Sequence, residues 1–302
     1  MDCCFARPSL LLSDRTGEGD PLYFYMRVIR IAIAGLIGAT SAAAAEPAAS
    51  EPLRSIAEIL ALSDEDLAAE RPAVVRGVVT LANPHVVIDD DSAAIYLARR
   101  LPSGEFAPHW QERPLDMPVA VGTELEVTGV VDFGGFMPRL VVESIRTLGT
   151  RSLPEPAAID FTRLFAGADN GRRVRATGVV QAVLDNPEGW SLIFESASRR
   201  FRVIVAKELL PARPDQLIDA EVELVGVYSS YRNSRGEFLA PALLVGRAAD
   251  IRVVRRPSHE GFDLPIAPLG RIARFRVEPL GGHRMRTAGV VSFAVPGTLY
   301  LQ

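Results

Sequence analysis

The sequence predicts a mostly-β chain of tandem five-stranded Greek-key barrels joined by short helices, with a third barrel truncated after its first strands. Three observations carry that expectation. A Gly set among β-branched or apolar residues recurs five times: Val75-Arg76-Gly77-Val78-Val79, Val127-Thr128-Gly129-Val130-Val131, Arg175-Ala176-Thr177-Gly178-Val179-Val180, Leu224-Val225-Gly226-Val227-Tyr228 and Arg286-Thr287-Ala288-Gly289-Val290-Val291. The first, third and fifth open alike units at Gly77, Gly178 and Gly289, about 100 to 110 residues apart, and a fixed period marks a repeat architecture. Each phrase also lies inside an apolar/polar alternation, the signature of a half-buried strand.

The elements follow in order. Residues 46–52, EPAASEP, read as a linker. Ser55-x-x-Glu58 and Ser63-x-x-Asp66 resemble capping boxes and open short helices over 56–62 and 64–70, the second stopped by Pro72. The first barrel, 53–148 with its helices, has strands over 73–81, 85–89, 93–97, 123–131 and 139–146. Asn83-Pro84 supplies a turn and Asp90-Asp91-Ser92 joins a hairpin. Residues 98–118 form a long excursion containing Pro102, Pro108, Pro114 and Pro118. Loops of that length in a compact domain are often functional.

Residues 149–158 are a linker, and Asp160 caps a helix over 161–166. The second barrel, 157–254, repeats the order with strands over 172–183, 190–195, 201–205, 220–229 and 238–246, a partly helical stretch over 206–217, and a tail strand over 251–254. A further linker covers 257–268 and a helix 269–275. A third unit, 266–302, starts with strands over 285–294 and 298–302. Ending inside a hairpin leaves an apolar edge unpaired, which is expected of a fragment of a longer product. Five strands in this order, with an excursion between the third and fourth, match the oligonucleotide/oligosaccharide-binding (OB-like) barrel. The Gly in strands one and four then serves the fold by allowing sharp coiling.

Ahead of the barrels, residues 26–45 (MRVIRIAIAGLIGATSAAAA) carry Arg27 and Arg30, a short apolar core and Ala43-Ala44-Ala45. This is the layout of a cleavable signal peptide. The apolar run is short for a membrane span, which needs about 20 residues. Residues 1–25 then read as an upstream extension from a misplaced start. Export to a periplasmic or extracytoplasmic space is the expected localisation. Removing 1–45 takes four acids (Asp2, Asp14, Glu18, Asp20) and four bases (Arg7, Arg15, Arg27, Arg30), so the net charge of −4 is unchanged.

That small negative charge supplies no basic field and argues against a nucleic-acid partner. Lys207 is the only lysine among 33 basic residues, a coding bias rather than a functional signal. Both cysteines, Cys3 and Cys4, precede the signal, so the barrels have no thiol chemistry. His85, His109, His259 and His283 show no metal-ligand spacing. Asp89-Asp90-Asp91 reads as a solvated hairpin turn; its spacing is not that of a dedicated calcium loop. Ser258-His259-Glu260 lacks a nucleophile-elbow context, and no phosphate-binding Gly loop occurs. No catalytic residue, metal or cofactor is expected in this region.

The ligand candidates are aromatic and Arg side chains of the face formed by strands two and three and the adjoining loops. Stacking plus a cation is how such barrels hold sugars or single strands. In the first barrel they are Phe106, Trp110 and Phe136. In the second they are Trp190, Arg200, Arg202, Tyr231 and Arg232. Phe194 and Phe201 are expected to be core.

Pro72 to Thr80 (PAVVRGVVT), Val121 to Val131 (VGTELEVTGVV), Phe136-Met137-Pro138, Leu217 to Gly226 (LIDAEVELVG), Tyr231-Arg232-Asn233 and His283 to Gln302 (HRMRTAGVVSFAVPGTLYLQ) also carry a resemblance. Over roughly 53–302 the chain resembles the N-terminal extracytoplasmic repeats of large bacterial sensor histidine kinases, of the kind common in Planctomycetes and Verrucomicrobia. It departs from them at the first hairpin. That family commonly reads Gln-Asp-x-Thr-Gly-Gly where this chain has Ile88-Asp89-Asp90-Asp91-Ser92-Ala93-Ala94.

The resemblance implies the non-catalytic sensory region of a membrane-bound signal-transduction protein, with a membrane span and any catalytic output domain beyond Gln302. The partner would be a small molecule, a glycan or a protein, and the Pro-containing linkers 149–158 and 257–268 the hinges. The alternative is a stand-alone secreted OB-like protein for glycan or single-stranded nucleic acid.

Overall fold

A computed structural model describes residues 51–100, 119–134, 137–166, 169–186, 189–210, 214–232, 237–257, 263–272 and 282–302. In the first unit two short helices precede the sheet. Helix α1, Ile56–Leu60, is closed by a capping box between Ser55 and Glu58. Helix α2, Asp64–Ala68, is capped by Ser63. The strands are β1 (Pro72–Leu81), β2 (Val86–Asp89), β3 (Ala94–Ala98), β4 (Thr123–Asp132) and β5 (Arg139–Thr150). They close into a barrel in the order β1-β2-β3-β5-β4, with β4 returning to β1. Only the β3–β5 pair is parallel. This is the OB-like order read from the sequence.

The second unit repeats it. A two-residue strand β6, Ala157–Ala158, and helix α3, Phe161–Phe165, capped by Asp160, lead into β7 (Arg173–Asn186). Strands β8 (Gly189–Ser196), β9 (Arg199–Val205), β10 (Glu221–Arg232) and β11 (Phe238–Val245) follow. Their order is β7-β8-β9-β11-β10, closed by a β10–β7 ladder, with β9–β11 parallel. Strand β12, Ile251–Arg255, adds to β10. The stretch between β9 and β10 holds two 3₁₀ turns, Lys207–Leu209 and Pro214–Leu217, as its partly helical reading anticipated.

Each barrel has its own core. Ile56, Val75, Ile88, Leu125 and Leu140 are fully buried in the first, and Leu192, Phe194, Val203, Leu224 and Tyr228 in the second. Phe194 and Phe201 stack edge-on, ring centroids 5.4 Å apart, so both are core as expected. The Tyr228 hydroxyl donates to the Leu164 carbonyl of α3. Burial pushes that phenol up to about 12.

The Gly phrase has a steric cause in both barrels. A Cβ at Gly129 of β4 would lie 2.0 Å from the Val141 carbonyl oxygen of β5, and one at Gly178 of β7 would lie 2.1 Å from the Glu195 oxygen of β8. Strands one and four fold so tightly over their neighbours that no side chain fits there.

Two sequence expectations change. Residues 149–158 are not a loose hinge. Strand β5 runs to Thr150, the Arg151 N–H donates to Gly122 O (2.9 Å), Arg173 Nη1 donates to Pro154 O (2.6 Å), and β6 is paired. In the third unit, α4 covers Leu269–Ile272, and residues 273–275 of the expected helix lie outside the described residues. The strand expected from Met285 begins only at Val291, as β13 (Val291–Val295) paired with β14 (Thr298–Leu301). The reason lies in the complete barrels. There the first half of strand one is held by strand four, as Pro72–Val78 are by Val130–Glu124. Among the described residues no strand four pairs with the third unit, so its first half has no ladder.

Gly129→Ala and Gly178→Ala are expected to lower stability by about 3 kcal/mol each, because backbone must move to admit the methyl group. Gly270→Ala, which meets nothing within 4 Å, is expected to be neutral. Urea unfolding of the three variants checks this.

Candidate functional site

A barrel of this order offers a ligand the outer face of strands two and three. The two barrels use that face differently. In barrel 1, Val87 of β2 and Ala94 and Tyr96 of β3 are buried against Ile204, Val227 and Leu244 of barrel 2. Leu81 belongs to the same apolar cluster, and Met137 and Tyr231 pack on its rim. The face that could have met a ligand is a barrel–barrel interface.

The Asp89-Asp90-Asp91 hairpin ties that interface together, and of the solvated turn expected there only the tip at Asp91 and Ser92 is exposed. Asp89 is 1% exposed. Its Oδ1 accepts the Asp91 N–H at 2.8 Å, and Arg172 of barrel 2 stands 3.4 Å away. Burial pushes the Asp89 carboxyl above its ordinary range, against the opposing pull of the Asp91 N–H and the Arg172 guanidinium. Asp90 accepts the Ile56 N–H of α1 at 2.7 Å and the Ser92 and Ala93 N–H groups at 2.9 and 3.0 Å. Asp91 pairs with Arg151 just beyond β5. The three carboxylates therefore point at three different donors. Among the described residues no group of three His, Cys, Asp or Glu is placed to hold a metal ion.

A cleft of about 400 Å³ opens beside Asp89, with Asp160, Arg163, Asp169, Arg172 and Arg173 in its wall. Most of its charged groups already have partners. Arg163 makes a two-point contact with Asp169 (2.9 and 2.6 Å), Asp160 caps α3, and Arg173 is held by Pro154 O. A ligand there would have to break protein pairs to make its own.

In barrel 2 the same face has a different chemistry. Alternation along β8 and β9 puts Ile193, Glu195, Arg200 and Arg202 outside, while Leu192, Phe194, Phe201 and Val203 enter the core. The Arg202 guanidinium lies 5.4 Å over the Tyr231 ring, a cation–π geometry. Arg200 is 65% exposed and 3.9 Å from Glu195, whose other contact is the Gln181 amide at 2.6 Å. The structure thus gathers Arg200, Arg202 and Tyr231 on one face, as the sequence suggested.

Trp190 does not join them. It shares the parity of Leu192 and Phe194, packs against the barrel 2 core, and lies under the Lys207 ammonium at 5.5 Å. Phe106, Trp110 and Phe136 lie outside the described residues, as does the side chain of Arg232. Glu195 and Gln181 were missed in the sequence. The period-two pattern gave Glu195 its outward direction, but only folding brings Gln181 of β7 beside it.

No family model matches the chain, and no curated protein matches it. Solved structures of low similarity do. The crystal structure of the p204 HINb domain is 11% identical at a TM-score of 0.26, covering 56% of this chain and 84% of that one. A murine DNA binding protein bound with double-stranded DNA is 12% identical at 0.30, covering 63% and 99%. The Ifi202 HINa domain in complex with 20bp dsDNA is 11% identical at 0.27, covering 62% and 97%. Likenesses at such scores carry no argument about ligand, and the fold assignment rests on strand order.

Asp89 gives a pH signature. Its folded carboxyl titrates above the unfolded one, so between the two values the folded state holds the extra proton. Stability from this group therefore falls as pH rises through that window. Asp89→Asn is expected to remove this decline, so that the variant gains on the unsubstituted chain as pH climbs above the ordinary carboxylate range. Denaturant unfolding at a series of pH values reads the difference.

Proposed function

We propose that this chain is a non-catalytic binding region that presents the β8–β9 face of its second barrel to an anionic, ring-bearing ligand such as an acidic glycan. We place it as the extracytoplasmic input region of a membrane-bound signal-transduction protein of the sensor histidine kinase type. One observation carries the binding reading. Barrel 1 spends its strand-two and strand-three face on holding barrel 2, whereas barrel 2 keeps Arg200 and Arg202 on its own, with Tyr231 at the rim of the interface beside Arg202. Two guanidinium groups supply planar donors for a sulfate or carboxylate, and the aromatic ring supplies a stacking surface.

The signal-like segment 26–45 and the repeat resemblance over 53–302 support the export and signalling part. No helix among the described residues is long and apolar enough to cross a membrane. Among the described residues the charged groups of the face are two arginines and one glutamate, the last held by Gln181 and Arg200.

Titration of a heparin-derived hexasaccharide into the full chain tests the binding. Arg202→Ala is expected to weaken it roughly tenfold, the scale of one lost charge-assisted contact. Trp190→Phe is expected to change nothing. Affinity that survives Arg200→Ala/Arg202→Ala would remove the face from this role. A steeper salt dependence and tighter binding of a single-stranded oligonucleotide would shift the reading to a secreted single-strand binder.

A further inference from the structure

The three units repeat their junctions as well as their strands. Counting back from Gly77, Gly178 and Gly289, the seventh residue is Glu70, Gly171 and Gly282, and each has a positive φ: 48°, 87° and 76°. The sixth is basic or imidazole in every case: Arg71, Arg172 and His283. In the first junction Gly171 packs on barrel 1 at the cross-strand rung Asp89–Ala94. A Cβ on Gly171 would lie 3.2 Å from that of Ala94. Arg172 then reaches Asp89.

In the second junction Gly282 packs on the equivalent rung of barrel 2, Glu195–Arg200. A Cβ on Gly282 would lie 3.1 Å from the Glu195 carboxyl carbon. The rungs correspond because Asp89 and Glu195 each turn a carbonyl oxygen onto their own strand-one Gly. His283 has the register of Arg172 but reaches a different part of the barrel. Its Nδ1 is 3.0 Å from Asp219 Oδ1, and its Nε2 is 3.4 Å from Arg255 Nη2. Guanidinium can only donate, so Nε2 is the acceptor and Nδ1–H the donor. The Arg284 N–H adds a second bond to the same Asp219 oxygen at 2.8 Å.

We propose that His283 latches the third unit onto barrel 2 beside its ligand face, and that this docking and ligand capture are coupled through Glu195. The coupling rests on the binding role proposed for Arg200 and Arg202; the latch does not. Gln181 Nε2 donates both to Glu195 Oε2 (2.6 Å) and to Gly282 O (3.3 Å), so one amide holds the rung and the incoming chain together. An anion on Arg200 draws the guanidinium away from Glu195 and adds negative charge beside it. The rung on which Gly282 sits is then disturbed, so capture weakens docking. By linkage, undocking strengthens capture by the same factor.

Two measurements on the full chain test the two parts separately. By hydrogen exchange, His283→Ala is expected to speed amide exchange over residues 290–302 at least about fivefold, with both barrels unchanged. His283→Gln, whose amide can both donate to Asp219 and accept from Arg255, is expected to restore part of the protection. Unchanged exchange in His283→Ala, or no recovery in His283→Gln, overturns the latch. The heparin-derived hexasaccharide is expected to bind His283→Ala at least about fivefold more tightly than the unsubstituted chain. Equal affinity overturns the coupling. Failure to bind either protein overturns the ligand-face reading and the coupling with it, and leaves the exchange result to decide the latch.

Discussion

The architecture depends on one apolar contact, the burial of the β2–β3 face of barrel 1 under Ile204, Val227 and Leu244 of barrel 2. Most small barrels of this order leave that face to solvent or ligand. Here it is buried, and the burial sets the remaining chemistry of the junction. Apolar area removed from water provides the attraction, at roughly 25 cal/mol per Å². It also creates the low-polarity surroundings in which Asp89 is reluctant to ionise. A carboxyl in such a place is tolerated because it accepts the Asp91 N–H and faces Arg172.

The acidic hairpin shows how a short polar segment can organise apolar surroundings. Asp90 supplies an acceptor to the first turn of α1, where backbone N–H groups lack partners of their own. Asp91 holds Arg151 just beyond β5. Helix, barrel and neighbouring barrel therefore meet at three consecutive residues. The exposed ion pairs elsewhere, such as Arg76–Glu126 and Arg252–Glu223, add little to stability by comparison.

Using one face for assembly leaves the corresponding face of the next barrel to do something else, and composition follows that division. The rung positions taken by Ala94 and Tyr96 in barrel 1 are Arg200 and Arg202 in barrel 2. Small and aromatic residues pack; guanidinium groups resist burial and stay near water.

The sequence by itself determined the repeat, the strand order and the sorting of side chains to two faces. These are local properties: a period, a pleat that alternates every residue, and glycines at points where carbonyl groups press too close for a Cβ. Its alternation gave Arg202 an outward direction, and the structure sets Arg200 beside it and Tyr231 under its guanidinium. The sequence grouped Trp190 with them by proximity, although the parity shared with Phe194 turns it to the core side. Only tertiary structure decided which of two equivalent faces is covered, that Asp89 of the hairpin turn is buried and tied to barrel 2, and that residues 149–158 are fastened. It also decided that strand one of the third unit forms only in its second half. Each of these depends on a partner distant in sequence, such as Arg172 for Asp89 or β4 for β1, and no local pattern announces such a partner.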